Sequence, residues 1–168
     1  MFNALDIALW FLAKVHSEKS EIDTNDEYDV YEGITHLKLQ KLLYYAQGVY
    51  MSLNNGELLF DNEIVAWPHG PVVEEVYNKY KSNGRSEIET KLNTDEITKM
   101  SLVDSNEKAK KALELTYKEF GCYTAWQLRE KTHELGTPWN QISTTKGLYN
   151  IIPNEIILKY FLDNIFEE

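Results

Sequence analysis

The chain has 168 residues, 43% apolar and 12% aromatic, which suits one domain burying roughly 70% of its unfolded surface and excludes a disordered chain. Acidic residues outnumber basic ones 27 to 17, and the formal charge of −10 makes direct nucleic-acid binding unfavourable and a basic or neutral protein partner favourable. Cys122 is the only cysteine, so no internal disulfide forms, and no run approaches the ~20 apolar residues of a membrane span; a cytoplasmic protein is expected.

The N-terminal apolar stretch is interrupted by Asp6, has no basic region before it and no small-residue cleavage site after it, and so reads as helix rather than signal. Asn3 is placed to cap that helix, which runs to about Ser17 with Leu5, Ala8, Leu9, Leu12 and Val15 at helical spacing. His16 falls at its polar end. Residues 17–33, "SEKSEIDTNDEYDVYEG", then carry seven carboxylates against the single Lys19 and read as a loop. Within it Tyr28 and Tyr31 interleave with Asp26, Glu27, Asp29 and Glu32, which sets amphipathic rings beside dense negative charge. That composition fits either a partner-specificity element or a solvated connector.

Thr35 caps a second helix over about 35–53. Leu39, Leu42, Leu43, Ala46, Val49, Tyr50 and Leu53 share one face, while Leu37, Lys41, Tyr44, Gly48 and Met51 lie opposite. A helix apolar on both flanks belongs at the centre of the domain, and Gly48 lets a neighbour approach closely. After "NNGE", residues 57–66 are short and rich in strand formers around "DN", which suggests a small β-hairpin or extended segments. Pro71 suits the first turn of a helix with Val72, Val73, Val76, Tyr77 and Tyr80 as its stripe. The polar stretch 81–101 reads as a connector with a weak strand or helix around Ile88 and Ile97, or as a hairpin flap over 86–102.

A further helix from about Ser105 carries Ala109, Ala112, Leu113, Thr116, Tyr117 and Phe120 and stops at Gly121. Thr124 caps another through Leu135, and Pro138 with Trp139 forms an aromatic turn beyond Gly136. Pro153 leads the last helix, with Ile156, Ile157, Tyr160 and Phe161 inward. The expected architecture is mainly α: a compact single-domain bundle, 1–168, of about six helices around the central one.

The catalytic signals are weak. Cys122 could pair with His69 or His133, but it follows a helix stop rather than directly preceding a helix N-terminus, and a buried or inert thiol is the simpler assignment. His16, His36, His69 and His133 contain no pair at metal-ligand spacing, and no glycine-rich phosphate loop is present, so no metal and no cofactor are expected. Lys108, Lys110 and Lys111 sit among glutamates as an exposed mixed-charge face.

Three ordered blocks, "ITHLKLQKLLYYAQG", "LLFDNEIVAWPHGPVVEEVY" and "LREKTHELGTPW", together resemble the SocA-like antitoxin family, also called the Panacea domain and often described as phage-associated proteins. The resemblance covers about 2–166. It implies a compact helical domain with no reaction of its own, which neutralises a cognate protein toxin by direct contact in a bacterial or prophage toxin–antitoxin pair. The alternative it carries is a proteolytic adaptor or phage-encoded regulator that binds a host protein. A monomer or homodimer is expected.

The matched positions are Lys38, Leu39, Lys41, Leu42, Tyr44 and Tyr45, then Ala66, Trp67, Gly70, Pro71, Val72 and Tyr77, then Leu128, Thr132, His133, Pro138 and Trp139. The resemblance implies that the partner-binding set comes from Lys38, Lys41, Tyr44, Tyr45, Trp67, Gly70, Pro71, Val72, Thr132, His133, Pro138 and Trp139. Many of these residues also fit structural roles. His69 lies at a variable position between the matched Trp67 and Gly70, a possible contact rather than a base.

Overall fold

The computed structural model describes residues 1–21, 33–89 and 91–164, so Asp26, Glu27, Tyr28, Asp29, Tyr31 and Glu32 lie outside the described residues. Among those described, the chain forms α1 (Ala4–Glu21), α2 (His36–Leu53), β1 (Val65–Trp67), β2 (Gly70–Val72), α3 (Glu74–Tyr80), α4 (Thr94–Asp104), α5 (Glu107–Phe120), α6 (Ala125–His133), α7 (Pro138–Thr145) and α8 (Asn154–Asn164). The architecture is mainly helical, with one small antiparallel hairpin.

The central helix is α2. The Thr35 hydroxyl accepts from the Lys38 N–H at 3.3 Å, and every residue from Lys38 to Met51 is buried. A helix enclosed all round needs no amphipathic stripe. It packs against α5, α6, α8 and the hairpin. Tyr45 stacks on Phe120 of α5 with ring centroids 3.9 Å apart, and Tyr44 meets Phe161 of α8 edge-on at 5.6 Å. Burial pushes both tyrosine hydroxyls well above their ordinary pKa. The approach of α8 depends on Gly48, because a methyl group there would overlap the Phe161 ring.

Three polar side chains of this buried helix hold non-helical chain against it. Gln47 accepts from the Leu59 and Phe60 N–H groups at 3.1 and 3.2 Å and donates to the Phe60 carbonyl at 2.9 Å. Gln40 accepts from Val73 N–H at 2.8 Å and donates to the Val73 carbonyl at 3.4 Å. Lys41 Nζ donates to the Pro71 carbonyl at 2.9 Å. These bonds satisfy backbone groups that the packed segment 59–73 has removed from water.

Several elements differ from the sequence expectation. The hairpin spans 65–72 rather than 57–66; within that earlier range Phe60 pairs with Phe2 by a single bridge. Pro71 is a strand residue, and α3 begins three positions later with Val73 as its N-cap. Ala66 and Pro71 face each other, and Ala66 N–H donates outward to the Asn150 carbonyl. They are therefore a non-hydrogen-bonded pair, so the N–H that proline lacks is not needed by the ladder.

Of the alternatives for 86–102 the structure has no flap: Ile97 lies in α4, started by a capping box between Asn93 and Glu96, and residues 87 and 88 run extended beside 34 and 35. Pro138 and Trp139 open α7, with the Thr137 hydroxyl as N-cap. α1 extends to Glu21 rather than Ser17, and Leu53 is exposed at the end of α2.

Gly48→Ala tests the central packing. Helix propensity alone favours alanine by about 1 kcal/mol, but the overlap with Phe161 reverses the sign, so the expected outcome is a net loss of about 1–3 kcal/mol in urea unfolding. Adding Phe161→Leu should recover part of that loss, and additive losses in the double variant would show that the two residues are not coupled.

Candidate functional site at the hairpin junction

The two-residue turn Pro68–His69 joins β1 to β2, and Gly70 follows it at φ 109°, a conformation suited to glycine. Three side chains from three helices take carbonyls of this hairpin. Trp139 Nε1 of α7 donates to the Trp67 carbonyl at 2.8 Å, His133 Nε2 of α6 lies 3.2 Å from the Pro68 carbonyl, and Lys41 of α2 takes Pro71. The His133 and Trp139 rings stack with centroids 3.7 Å apart. On its outer edge β1 exchanges bonds with the segment after α7: Tyr149 N–H donates to the Ala66 carbonyl at 2.7 Å, and Ile152 N–H to the Ile64 carbonyl at 2.7 Å.

Gly70 also leaves room for the clamp, since a side chain there would run into Lys41 Nζ and the Thr132 hydroxyl. Thr132 donates to the Arg129 carbonyl at 2.8 Å, and Thr137 donates to the Thr132 carbonyl at 2.7 Å, which closes the turn from α6 to α7.

The electrostatics follow from burial. Lys41 is 0% exposed, and desolvation, with the Arg129 charge second, lowers its pKa from 10.5 to about 7. Burial also holds His133 below its ordinary imidazole value. Its Nδ1 lies 2.7 Å from the Arg129 carbonyl while its Nε2 faces Pro68, and a neutral imidazole has one N–H for two carbonyls. His36 is lowered as well, by burial first and then by Lys41.

The junction therefore brings the three sequence blocks together. Lys38, Lys41, Tyr44, Tyr45, Gly70, Pro71, Val72, Thr132 and Pro138 are buried within it or beneath it, whereas Trp67, His133 and Trp139 are half-buried and His69 is exposed at the turn. Cys122 is exposed, so of the two alternatives, a buried or an inert thiol, burial does not hold. The enclosed amine of Lys41 offers no approach to a substrate, and the His133 ring faces backbone carbonyls. Among the described residues, no group of three or more His, Cys, Asp or Glu side chains is placed to hold a metal ion, and no helix is long and apolar enough to cross a membrane.

Sequence reasoning missed Gln40 and Gln47, whose signal was polarity on a helix apolar on both flanks. It also missed the rim aromatic Tyr149. This residue is 65% exposed and held at φ 64°, an uncommon conformation for tyrosine, with its ring 5.8 Å from that of Trp67. Tyr77 adjoins Trp67 on the other side at 4.7 Å.

Comparison with known proteins adds a family. The family described as antitoxin SocA-like, Panacea domain, matches residues 39–140. Antitoxin SocA of Caulobacter vibrioides (strain NA1000 / CB15N) is 30% identical over 118 residues, 68% of this chain; the match spans 62% of that relative's length. No solved structure matches the chain.

Lys41 gives the junction a pH signature. Its folded pKa of about 7 lies below the unfolded value of 10.5, so between them the unfolded chain binds more protons and stability rises with pH. Urea unfolding should show a gain approaching about 1.4 kcal/mol per pH unit from about pH 7.5 to about 9.5, below the range where unfolded tyrosines ionise. Lys41→Met should flatten that slope, and an unchanged slope would show that Lys41 stays charged in the fold.

Proposed function

We propose that this chain, which belongs to the SocA-like antitoxin, Panacea-domain family, is a cytoplasmic antitoxin that neutralises a protein toxin by direct binding and without chemistry of its own. The observation that carries this reading is the aromatic rim on the clamped hairpin, where Trp67 lies between Tyr77 and Tyr149 beside exposed His69. Partly exposed tryptophan and tyrosine rings on a rigid support are the usual anchors of protein interfaces, because they bury much apolar area while losing few rotamers. The deeper residues of the sequence motif act through this rim: Lys41, Gly70, Thr132, His133 and Trp139 fix the hairpin, and the hairpin presents the rim.

The same reading accounts for a site whose amine is enclosed and whose His133 ring faces backbone carbonyls. Binding, unlike catalysis, needs a surface that holds its shape, and the hairpin is tied to α2, α6 and α7 through its own carbonyls. The overall charge of −10 favours a toxin that is basic or neutral.

The test is co-expression with the product of the adjoining gene, scored by growth, with affinity measured on the purified pair. Wild type should restore growth. Tyr149→Asn combined with His69→Ala keeps a residue that tolerates the left-handed backbone and should weaken binding about tenfold or more with unchanged thermal stability. Wild-type affinity in that double variant would move the interface off the rim. A bound toxin whose cellular half-life is unchanged is masked, whereas a shortened half-life would replace masking by delivery to a protease.

A further inference from the structure

We propose that the Trp67 face of the hairpin is a carboxylate-binding site and, building on the antitoxin reading above, that it receives a carboxylate of the partner protein. Two buried donor atoms, Trp67 Nε1 and Arg129 Nε, meet no acceptor among the described residues, and neither group can serve as an acceptor itself. Leaving such a donor unmatched is costly, more so for a charged group.

The hairpin and α6 bring Trp67 and Arg129 to the Lys41–Thr132 side of the junction. Trp67 pairs directly with Gly70, and cross-strand partners share a face. The Gly70 face is the one that meets Lys41 Nζ and the Thr132 hydroxyl. Arg129 stands one helical turn before Thr132 and His133, and its charge acts on both Lys41 and His133. Tyr77 packs on Trp67 at 4.7 Å between ring centroids and supplies an aromatic wall.

Indole and guanidinium donors with aromatic walls suit a small planar anion, and guanidinium geometry matches carboxylate. The Arg129 Nη1 contact with Glu130 at 2.6 Å involves a carboxylate that is 59% exposed, a surface pairing of little strength that an incoming group can displace. The overall charge of −10 opposes a polyanion but admits a single carboxylate.

The experiment is ¹⁵N NMR of the full chain titrated with sodium acetate at constant ionic strength, with chloride and inorganic phosphate as controls. The Trp67 indole and Arg129 Nε–H resonances, the first assigned with Trp67→Phe, should shift saturably with acetate. Arg129→Gln should raise the acetate dissociation constant about tenfold while the rest of the spectrum stays in place. A linear, chloride-like drift, or saturation by phosphate alone, would overturn the site. If replacing Asp26, Glu27, Asp29 and Glu32 by their amides already moves these two resonances without acetate, the chain's own carboxylates occupy the site and the partner role falls. Toxin neutralised at wild-type affinity by Arg129→Gln also removes the partner role while leaving the antitoxin reading intact; acetate binding by a chain that neutralises no toxin supports the site and fails that reading alone.

Discussion

Irregular backbone can lie against a fully buried helix only if that helix supplies hydrogen bonds, and this requirement organises the molecule. α2 meets it with Gln40, Lys41 and Gln47. Gln40 and Gln47 are seven residues apart and fall on one stripe, with Lys41 about 100° further round. Each glutamine offers a donor and an acceptor from one planar group, so each can hold both an N–H and a carbonyl of the crossing chain. An apolar residue at either position would leave buried backbone groups unmatched. The path from Leu59 to Val73, and with it the location of the hairpin, follows from these contacts.

Lysine at position 41 solves a different problem. The Pro71 carbonyl belongs to a non-hydrogen-bonded pair and points away from β1 toward α2, where it needs a donor on a long reach. An ammonium there carries a large desolvation cost, which lowers the pKa of the amine to about 7, and a deprotonated amine keeps its donor function. The neighbouring prolines reduce the demand further. Pro68 and Pro71 bring carbonyls without N–H groups, so the hairpin enters its buried setting with two fewer donors to satisfy. Carbonyls of Trp67, Pro68 and Pro71 then face three different helices, which is why so short a hairpin, too small to be stable alone, is held firmly.

The parts legible in the sequence were those governed by periodicity and steric size. The α2 pattern with apolar residues on both flanks marked it as central, and Gly48 as a point of close approach, because both follow from the geometry of a single helix. Less legible were features in which one residue type serves two backbone states. Proline at the first turn of a helix and proline in an outward-facing strand position both avoid a missing N–H, so sequence alone does not separate Pro71, a strand residue, from Pro138, which begins a helix. α4 was obscured by its composition: apart from Val103 it is little buried, and its start rests on the reciprocal Asn93–Glu96 bonds rather than on an apolar stripe. The candidate site was legible as a set of motifs but not as a geometry. Lys41, Trp67, His133 and Trp139 come from four elements, and their convergence depends on which carbonyls the hairpin leaves open.

Burial also separates two tasks that the motif merges when read as a string. A side chain enclosed like Lys41 or Thr132 cannot meet a partner, and changing it alters partner binding by moving the hairpin. Rim positions such as His69 and Tyr149 can change chemistry at little cost to the core, because their side chains are exposed while their backbone is held by neighbours. A scaffold of this kind can keep one clamp and carry different contact surfaces. On the antitoxin reading, specificity for a toxin then resides in the turn 68–69, in the segment 148–151 and in the donors beneath Trp67, while the buried polar residues of α2 determine that these surfaces exist at all.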